Sequence, residues 1–279
     1  MTDLRLCRSL LFLPASNPRA IEKARSLEAD LIILDLEDAV RDEDKESARE
    51  AAVTAAGEGF GGRPVAIRIN PFGTDHYGHD VVCVRRCAAN FVVLAKTESA
   101  KQVSDAGWLT GKPIMAMIET PRAIVDAAVI ATATRALIAG TNDLSASLGL
   151  PFRRGRPGLV YALQRIVLAA RAAGVPAFDG VYNRLEADDG LNEECEQGRT
   201  FGFDGKSVIH PNQIEAANRA FTPTGAEVEG AKRLIAAAGG GAERHEGRMI
   251  ESLHVEEARM LLAKARVQAE SLASESDAP

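Results

Sequence analysis

The stretch PIMAMIETPRAIVDAAVIATATRALIAGTNDLSASLG, residues 113–149, holds two acids at positions where chemistry can be done. The apolar run Pro113–Ile118 ends in Glu119, and Ala136–Ala139 ends in Gly140-Thr141-Asn142-Asp143. Short apolar runs bounded by breakers and followed by helix-like patterns read as buried parallel strands. Groups just past the C-terminal end of such strands face the ligand crevice. Glu119 and Asp143 are therefore expected on one rim, one strand–helix unit apart. Two carboxylates converging there form a hard oxygen site suited to Mg²⁺, with water or substrate oxygens completing its shell. The competing reading makes each acid an N-cap or first-turn residue of the next helix. At Glu119 that reading is weaker, because Thr120 is the better cap and Pro121 the natural first helical residue.

Other strand ends carry charge as well: Asp35, Glu37 and Asp38, then Arg68 and Asn70, then Lys96, Asp179 and His210. Collecting polar groups on one rim is costly unless they pair with one another and with a ligand. Arg68 lies between Ile67 and Ile69, inside a strand. If it points into the barrel mouth it needs an acid partner or an anionic substrate, and arginine suits bidentate carboxylate binding. A structural salt bridge to Glu37 or Asp38 is the alternative, and both can hold together. Lys96 is the strand-end lysine that could form a Schiff base, with an ordinary ion pair as the plainer reading. No Ser-His-Asp arrangement is visible, and GTNDLSASLG lacks the G-x-S-x-G form. A metal and an arginine without a nucleophile suit aldol or Claisen chemistry, in which Mg²⁺ chelated by a 2-hydroxy or keto carboxylate stabilises an enolate.

These rim positions need a scaffold. Strand patterns recur at Ser9–Pro14, Leu31–Leu36, Val65–Ile69, Phe91–Lys96, Pro113–Ile118, Ala136–Ala139, Val175–Phe178 and Ser207–Ile209, with helical patterns between them. Right-handed crossovers between consecutive parallel strands make a closed (β/α)₈ TIM barrel over residues 1–222 the simplest α/β topology. An open doubly wound sheet is the alternative. Against it, LFLPASNP after strand one carries no glycine fingerprint. Residues 223–279 read as a C-terminal helical extension: an amphipathic helix Gly225–Ala238, a break at Gly239–Gly241, a semi-apolar turn Arg248–His254 and a helix Val255–Leu272. We expect this extension to pack on a neighbouring subunit, since a triple glycine gives it reach.

The 279 residues suit one such barrel with an extension, and 46% hydrophobic content fills its core. A formal net charge of −6 argues against a nucleic-acid partner. No signal peptide and no membrane-length apolar run is visible, so a cytoplasmic protein without a membrane partner is expected. The four cysteines show no metal-ligand spacing.

The strings RSLLFLPASNPRAIEKA, LIILDLEDAV, IRIN, MIET, GTNDLSASLG, FDGVYN and GFDGKSVIHPNQIEAAN span residues 8 to 218. Together they resemble the citrate lyase β-subunit-like family, which includes malyl-CoA and citramalyl-CoA lyases. The resemblance implies a Mg²⁺ held by Glu119 and Asp143. It implies that Arg68 holds the substrate carboxylate or acyl portion, and that Phe12 and Lys23 contact CoA. Where relatives place an arginine in the strand-one loop, this chain has Asn17, with Arg19 two residues on as the candidate phosphate contact. Ile209 and His210 match the rim lining the CoA channel. Asn142 joins the substrate-binding set, and Arg68, Glu37 and Glu251 form the candidate catalytic set. Relatives imply a homo-oligomer, a trimer or hexamer.

The strings FDGVYN, ECEQGR, GFDGK and the tail MIESLH are most similar to the (3S)-malyl-CoA thioesterase subgroup. Many lyases of the family carry Asp in that tail turn, reaching a neighbouring subunit's site; here it is Glu251. The added methylene moves the carboxyl by roughly 1.5 Å, a displacement that can cost about 10²-fold in rate. Glu251 thus marks either a change from C–C cleavage to thioester hydrolysis or a compensating backbone shift. The implied activity is Mg²⁺-dependent cleavage of a short 3-hydroxyacyl-CoA such as malyl-CoA. The alternatives are hydrolysis of the thioester, and service as the acyl-lyase subunit of a complex with an acyl-carrier partner.

Overall fold

Apolar runs of three to six residues, too short for helices, recur along the first two hundred residues, and each forms a strand. The computed structural model describes residues 3–151, 156–238, 243–245 and 248–276. Its strands are β1 (Ser9–Pro14), β2 (Leu31–Asp35), β3 (Val65–Ile69), β4 (Phe91–Leu94), β5 (Ile114–Ile118), β6 (Ala136–Ala139), β7 (Ala177–Asp179) and β8 (Gly205–Val208). They pair in parallel in chain order and close into a barrel, with β1 against β8 through Ser9↔Lys206 and Leu11↔Val208. The helices are α1 (Pro18–Ala24), α2 (Lys45–Glu58), α3 (Asp75–Arg85), α4 (Ala100–Thr110), α5 (Pro121–Ala131), α6 (Thr141–Ser147), α7 (Val160–Ala173), α8 (Asp189–Phe201), α9 (Ile214–Phe221), α10 (Gly225–Ala237) and α11 (Ser252–Ser276). The closed TIM-like barrel expected from the sequence is the topology of this chain, and the alternative open sheet is not.

One face of each strand fills the barrel. Leu10, Phe12, Leu31, Ile33, Ala66, Phe91, Val93, Met115, Met117, Ala136, Ile138 and Phe178 form a single buried cluster. These residues alternate along each strand, as the period of two requires. The same alternation places Asp35, Arg68 and Glu119 inward, at the top of the columns Leu31-Ile33, Ala66 and Met115-Met117. The charged rim is thus a continuation of the apolar core.

The structure differs from the sequence reading at several elements. β7 starts at Ala177, after Pro176, which has no N–H to give a ladder. A short helix, α6, follows β6 and carries Asp143 in its first turn. Arg248–Ile250 is strand β10, paired antiparallel with β9 (Glu243–His245), and the terminal helix begins at Ser252. Gly239–Gly241 lies outside the described residues.

Two compact units divide the chain, residues 1–218 and 219–279. In the second, Thr224 and Glu227 form a capping box at the start of α10, and α10 packs against α11. Among the described residues no helix is long and apolar enough to cross a membrane.

Candidate active site

The C-terminal ends of the strands enclose a cavity of about 370 Å³. Of the residues singled out in the sequence, Phe12, Arg68, Glu119, Asn142, Asp143 and Ile209 line it, together with Asp35 and Asp38.

Arg68 stands on β3 facing inward, with its side chain 12% exposed. Its Nε donates to Asp35 Oδ1 at 2.6 Å and its Nη2 to Asp35 Oδ2, a bidentate pair. Nη1 lies 3.1 Å from Glu37 Oε2, and the guanidinium rests over the Phe12 ring with 5.4 Å to the centroid. Burial opposes the charge, but Asp35 and Glu37 outweigh it and hold the guanidinium pKa above its ordinary value. The salt bridge expected to Glu37 or Asp38 therefore falls on Asp35 first and Glu37 second. Asp38 lies past the end of β2, lines the cavity, and approaches Lys96 instead. Of the five guanidinium N–H donors, two go to Asp35 and the Nη1 pair faces Glu37 and Met117 Sδ, so one Nη2 N–H is left for a substrate carboxylate.

Glu119 ends β5, and its residue is 1% exposed. Thr120 caps α5 by accepting from the Ala123 N–H, and Pro121 opens the helix, so Glu119 is free of the capping role. Its Oε1 accepts the Lys96 N–H at 2.6 Å. Burial raises its carboxyl to about 8, with Glu37 and Asp143 adding to the rise against the Lys96 N–H and Arg68. The approach of this side chain depends on Gly140: a Cβ there would lie 2.3 Å from Glu119 Cβ and 2.5 Å from Oε2.

Asp143 lies in the first turn of α6, whose N-cap is Gly140 with no side-chain cap bond. The N-cap reading of this residue is thereby removed, while the first-turn reading holds: the carboxylate sits at the positive end of α6 as well as on the cavity lining. Its carboxylate is 4.0 Å from Lys96 Nζ. Among the described residues, hydrogen bonds reach neither Glu119 Oε2 nor the Asp143 carboxylate. Beside it, Asn142 exchanges reciprocal amide hydrogen bonds with Asn183, at 3.0 and 2.6 Å.

Lys96 pairs with Glu37 Oε1 at 2.7 Å and approaches Asp38 at 3.7 Å. Burial lowers its pKa, but Glu37, Asp38 and Asp143 raise it further, so the amine stays protonated. That is the ion-pair reading, and a Schiff-base nucleophile needs the opposite shift. Glu37 is 3% exposed, its carboxyl pKa is raised by burial against the pull of Arg68 and Lys96, and it lies beside the cavity rather than on its lining.

Sequence reasoning passed over the group that fixes Glu37. Lys45 on α2 is buried, and its Nζ donates to the carbonyls of Leu36 and Glu37 and to Asn70 Oδ1, at 2.9, 3.0 and 2.9 Å. It ties the exits of β2 and β3 together. A lysine at the start of a polar helix gives no sequence signal for burial.

Other expected positions fall elsewhere. Arg19 and Lys23 are exposed on α1, just past the exit of β1. His210 accepts the Asn212 N–H through Nδ1 at 3.3 Å, capping a short 3₁₀ turn, and is absent from the cavity lining. Glu251 belongs to the second unit and is exposed; its N–H donates to His254 Nδ1 at 2.9 Å. Asp179 is corrected: its neighbour Phe178 faces the core, so Asp179 points outward toward α8. There Arg156 holds it by a bidentate pair at 2.8 and 2.7 Å, with Lys206 at 3.1 Å.

Among the described residues no group of three or more His, Cys, Asp or Glu is arranged to hold a metal ion. A divalent cation here would therefore take protein oxygens from Glu119 and Asp143, which line the same cavity, and the rest of its shell from water or substrate. Against the carboxylates of Asp35, Glu37, Asp38, Glu119 and Asp143, the cations that reach them are Arg68 and Lys96. This acid excess, and a Glu119 carboxyl raised by burial and by the neighbouring Glu37 and Asp143, are what a bound cation would relieve. Mg²⁺ keeps several waters and asks for only one or two carboxylates.

Comparison with known proteins agrees with this geometry. Residues 8–211 match the HpcH/HpaI aldolase/citrate lyase family. A (3S)-malyl-CoA thioesterase of Cereibacter sphaeroides is 42% identical over 92% of this chain and 94% of its own length. A citrate lyase subunit beta of Leuconostoc mesenteroides is 34% identical, covering 85% of this chain and 84% of that one. The crystal structure of CitE from Mycobacterium tuberculosis, in complex with magnesium, acetoacetate and coenzyme A, superposes with a TM-score of 0.81 at 34% identity, over 94% of this chain and 99% of that chain. A closed parallel barrel with an acid rim, matched in sequence across nearly its full length, makes this chain a member of the HpcH/HpaI aldolase/citrate lyase family, citrate lyase β-like.

Proposed function

We propose that the chain is a Mg²⁺-dependent enzyme of CoA thioesters that cleaves the C–C bond of a short 3-hydroxyacyl-CoA such as malyl-CoA, giving acetyl-CoA and glyoxylate. The observation that carries this reading is the pair Glu119 Oε2 and Asp143, without hydrogen bonds among the described residues, on a cavity that Arg68 also lines. The magnesium, acetoacetate and coenzyme A bound by the Mycobacterium tuberculosis relative support the same cofactor and substrate class.

Glu119 and Asp143 would hold Mg²⁺, which when bound withdraws electron density from the carboxylate and hydroxyl oxygens of the substrate. Arg68, fixed by Asp35, orients the substrate carboxylate through its charge and its remaining Nη2 N–H. Phe12 supports the guanidinium from below. Glu37 touches Arg68 and Lys96 and acts by holding them in place. The hydroxyl loses its proton to solvent, and the bond from its carbon to the carbon beside the thioester breaks. The electron pair passes to the thioester enolate, and Glu251 from a second copy of the chain protonates that carbon to complete acetyl-CoA. Arg19, Lys23, Ile209 and His210, around the exits of β1 and β8, are the CoA contacts, with Asn142 at the acyl end.

Thioester hydrolysis to malate and CoA is the second reading. It is favoured by the thioesterase relative and by Glu251 standing where many lyases have Asp. Incubating malyl-CoA with pure protein and Mg²⁺ separates the two. Glyoxylate with acetyl-CoA means lyase, and free thiol with malate means hydrolase. If neither product forms from any short hydroxyacyl-CoA, both readings fail.

A further inference from the structure

Lys96 is the one non-glycine residue with positive φ among the described residues, at +47°. A lysine in the left-handed region is uncommon, and such outliers persist where surrounding structure holds them for a purpose. This backbone turn aims the Lys96 N–H at Glu119 Oε1, 2.6 Å away, which leaves Oε2 toward the cavity. From the same residue, Nζ reaches Glu37 Oε1 at 2.7 Å, Asp38 Oδ1 at 3.7 Å and Asp143 Oδ1 at 4.0 Å. Carboxylates from the exits of β2, β5 and β6 thus meet at one lysine.

Folding so many acids together without a cation is unfavourable, because each buried charge needs a counter-charge. The Lys96 ammonium supplies one before any metal arrives. Its approach to Asp143 also places it against one of the two carboxylates assigned to the ion. A metal and the ammonium then repel each other across a few ångströms.

We propose that Lys96 is an internal counter-cation of the acid cluster, holding its carboxylates together in the metal-free protein and competing with the divalent ion for Asp143, so that it sets the affinity for that ion. This rests on the metal reading of Glu119 and Asp143. The competition lowers affinity in exchange for a site that folds without metal.

The test is Mn²⁺ binding, followed by electron paramagnetic resonance, together with melting temperature in EDTA and in saturating Mg²⁺. The proteins are wild type, Glu119→Gln, Lys96→Met and Lys96→Arg. Wild type is expected to bind Mn²⁺ and Glu119→Gln to lose it. Lys96→Met is expected to bind more tightly, on the order of tenfold, as removal of a unit charge a few ångströms from the ion implies. It is also expected to melt lower in EDTA and to recover in Mg²⁺. Lys96→Arg keeps the charge and is expected to stay near the wild-type affinity. Equal or weaker Mn²⁺ binding by Lys96→Met, or a loss of melting temperature identical with and without Mg²⁺, overturns the proposal. If Lys96→Met fails to fold even with Mg²⁺, Lys96→Gly, which relieves the left-handed backbone, is measured on the same criteria. Failure of wild type to bind Mn²⁺ at all instead removes the metal reading, a distinct result.

Discussion

Arg68 holds its charge where water barely reaches, and it does so because Asp35 grips it with both oxygens. Lysine cannot reproduce a fork against a carboxylate. Arg68→Lys is therefore expected to lower kcat/KM by about 10²-fold, with Mn²⁺ affinity close to wild type because the ion's carboxylates are untouched. Steady-state assays with malyl-CoA and metal titrations check the split; equal loss in both would assign Arg68 to the metal instead. Arg68→Ala removes the ion-pair partner of Asp35 in the interior, leaving Glu37 only Lys96 among the described residues, and is expected to cost about 3–5 kcal/mol in chemical denaturation. At this scale the sequence was legible where local chemistry is exclusive. Thr120 and Pro121 take the cap and the first helical position, so Glu119 is left for other work. The partner of Arg68 was legible in part through parity: Asp35 follows Leu31 and Ile33 on the inner face, whereas Glu37 and Asp38 lie past the end of β2, where the period of two no longer applies. The same parity turns Asp179 outward, because Phe178 occupies the core position.

Between elements, the close contact of β5 with the loop after β6 makes a sharper demand. Gly140 has φ of −97°, which any residue can adopt, so its requirement is space alone. Gly140→Ala would put a methyl within 2.5 Å of Glu119 Oε2. The variant is expected to lose Mn²⁺ affinity by at least tenfold while remaining folded, by circular dichroism and metal titration; unchanged affinity would show that Glu119 does not need its present position. One strand on from β6, β7 is tied to the chain ahead of α7 and to α8 by Asp179, Arg156, Lys206 and Glu194. Burial raises the Asp179 pKa, but Lys206 and Arg156 outweigh it and hold the carboxyl below its ordinary 3.8. A folded-state pKa below the unfolded one contributes stability that is full above 3.8 and is lost as pH falls toward the folded value. Denaturation between pH 5 and pH 2 should thus show a steep loss in wild type. In Asp179→Asn that limb is expected to be shallower and overall stability lower; an unchanged slope would refute the assignment. Helix α6 was not legible because TNDLSAS has no apolar periodicity, and its start is set by where β6 ends. The β9–β10 hairpin was missed because each strand is only three residues long.

At the scale of the molecule, the barrel was legible from the regular alternation of strand and helix patterns. Glu251, in the second unit, was legible only by its resemblance to an acid of the family's tail. If it acts in the site of another copy, two inactive variants can repair each other. Glu119→Gln and Glu251→Gln, each inactive alone, are expected to regain activity when co-expressed or dissociated and reassembled together. Random assembly would restore about a quarter of the sites. No recovery in mixed assemblies of normal size, or full activity of Glu251→Gln alone, would confine catalysis to one chain. The central claim concerns Glu119 and Asp143, and a crystal structure grown with Mg²⁺ and a 2-oxo acid tests it most directly. One ion is expected about 2.0–2.1 Å from Glu119 Oε2 and from an Asp143 oxygen, with the oxo acid's carboxylate against Arg68. An ion bound elsewhere, or those two carboxylates turned away and hydrogen-bonded to the protein, would contradict it.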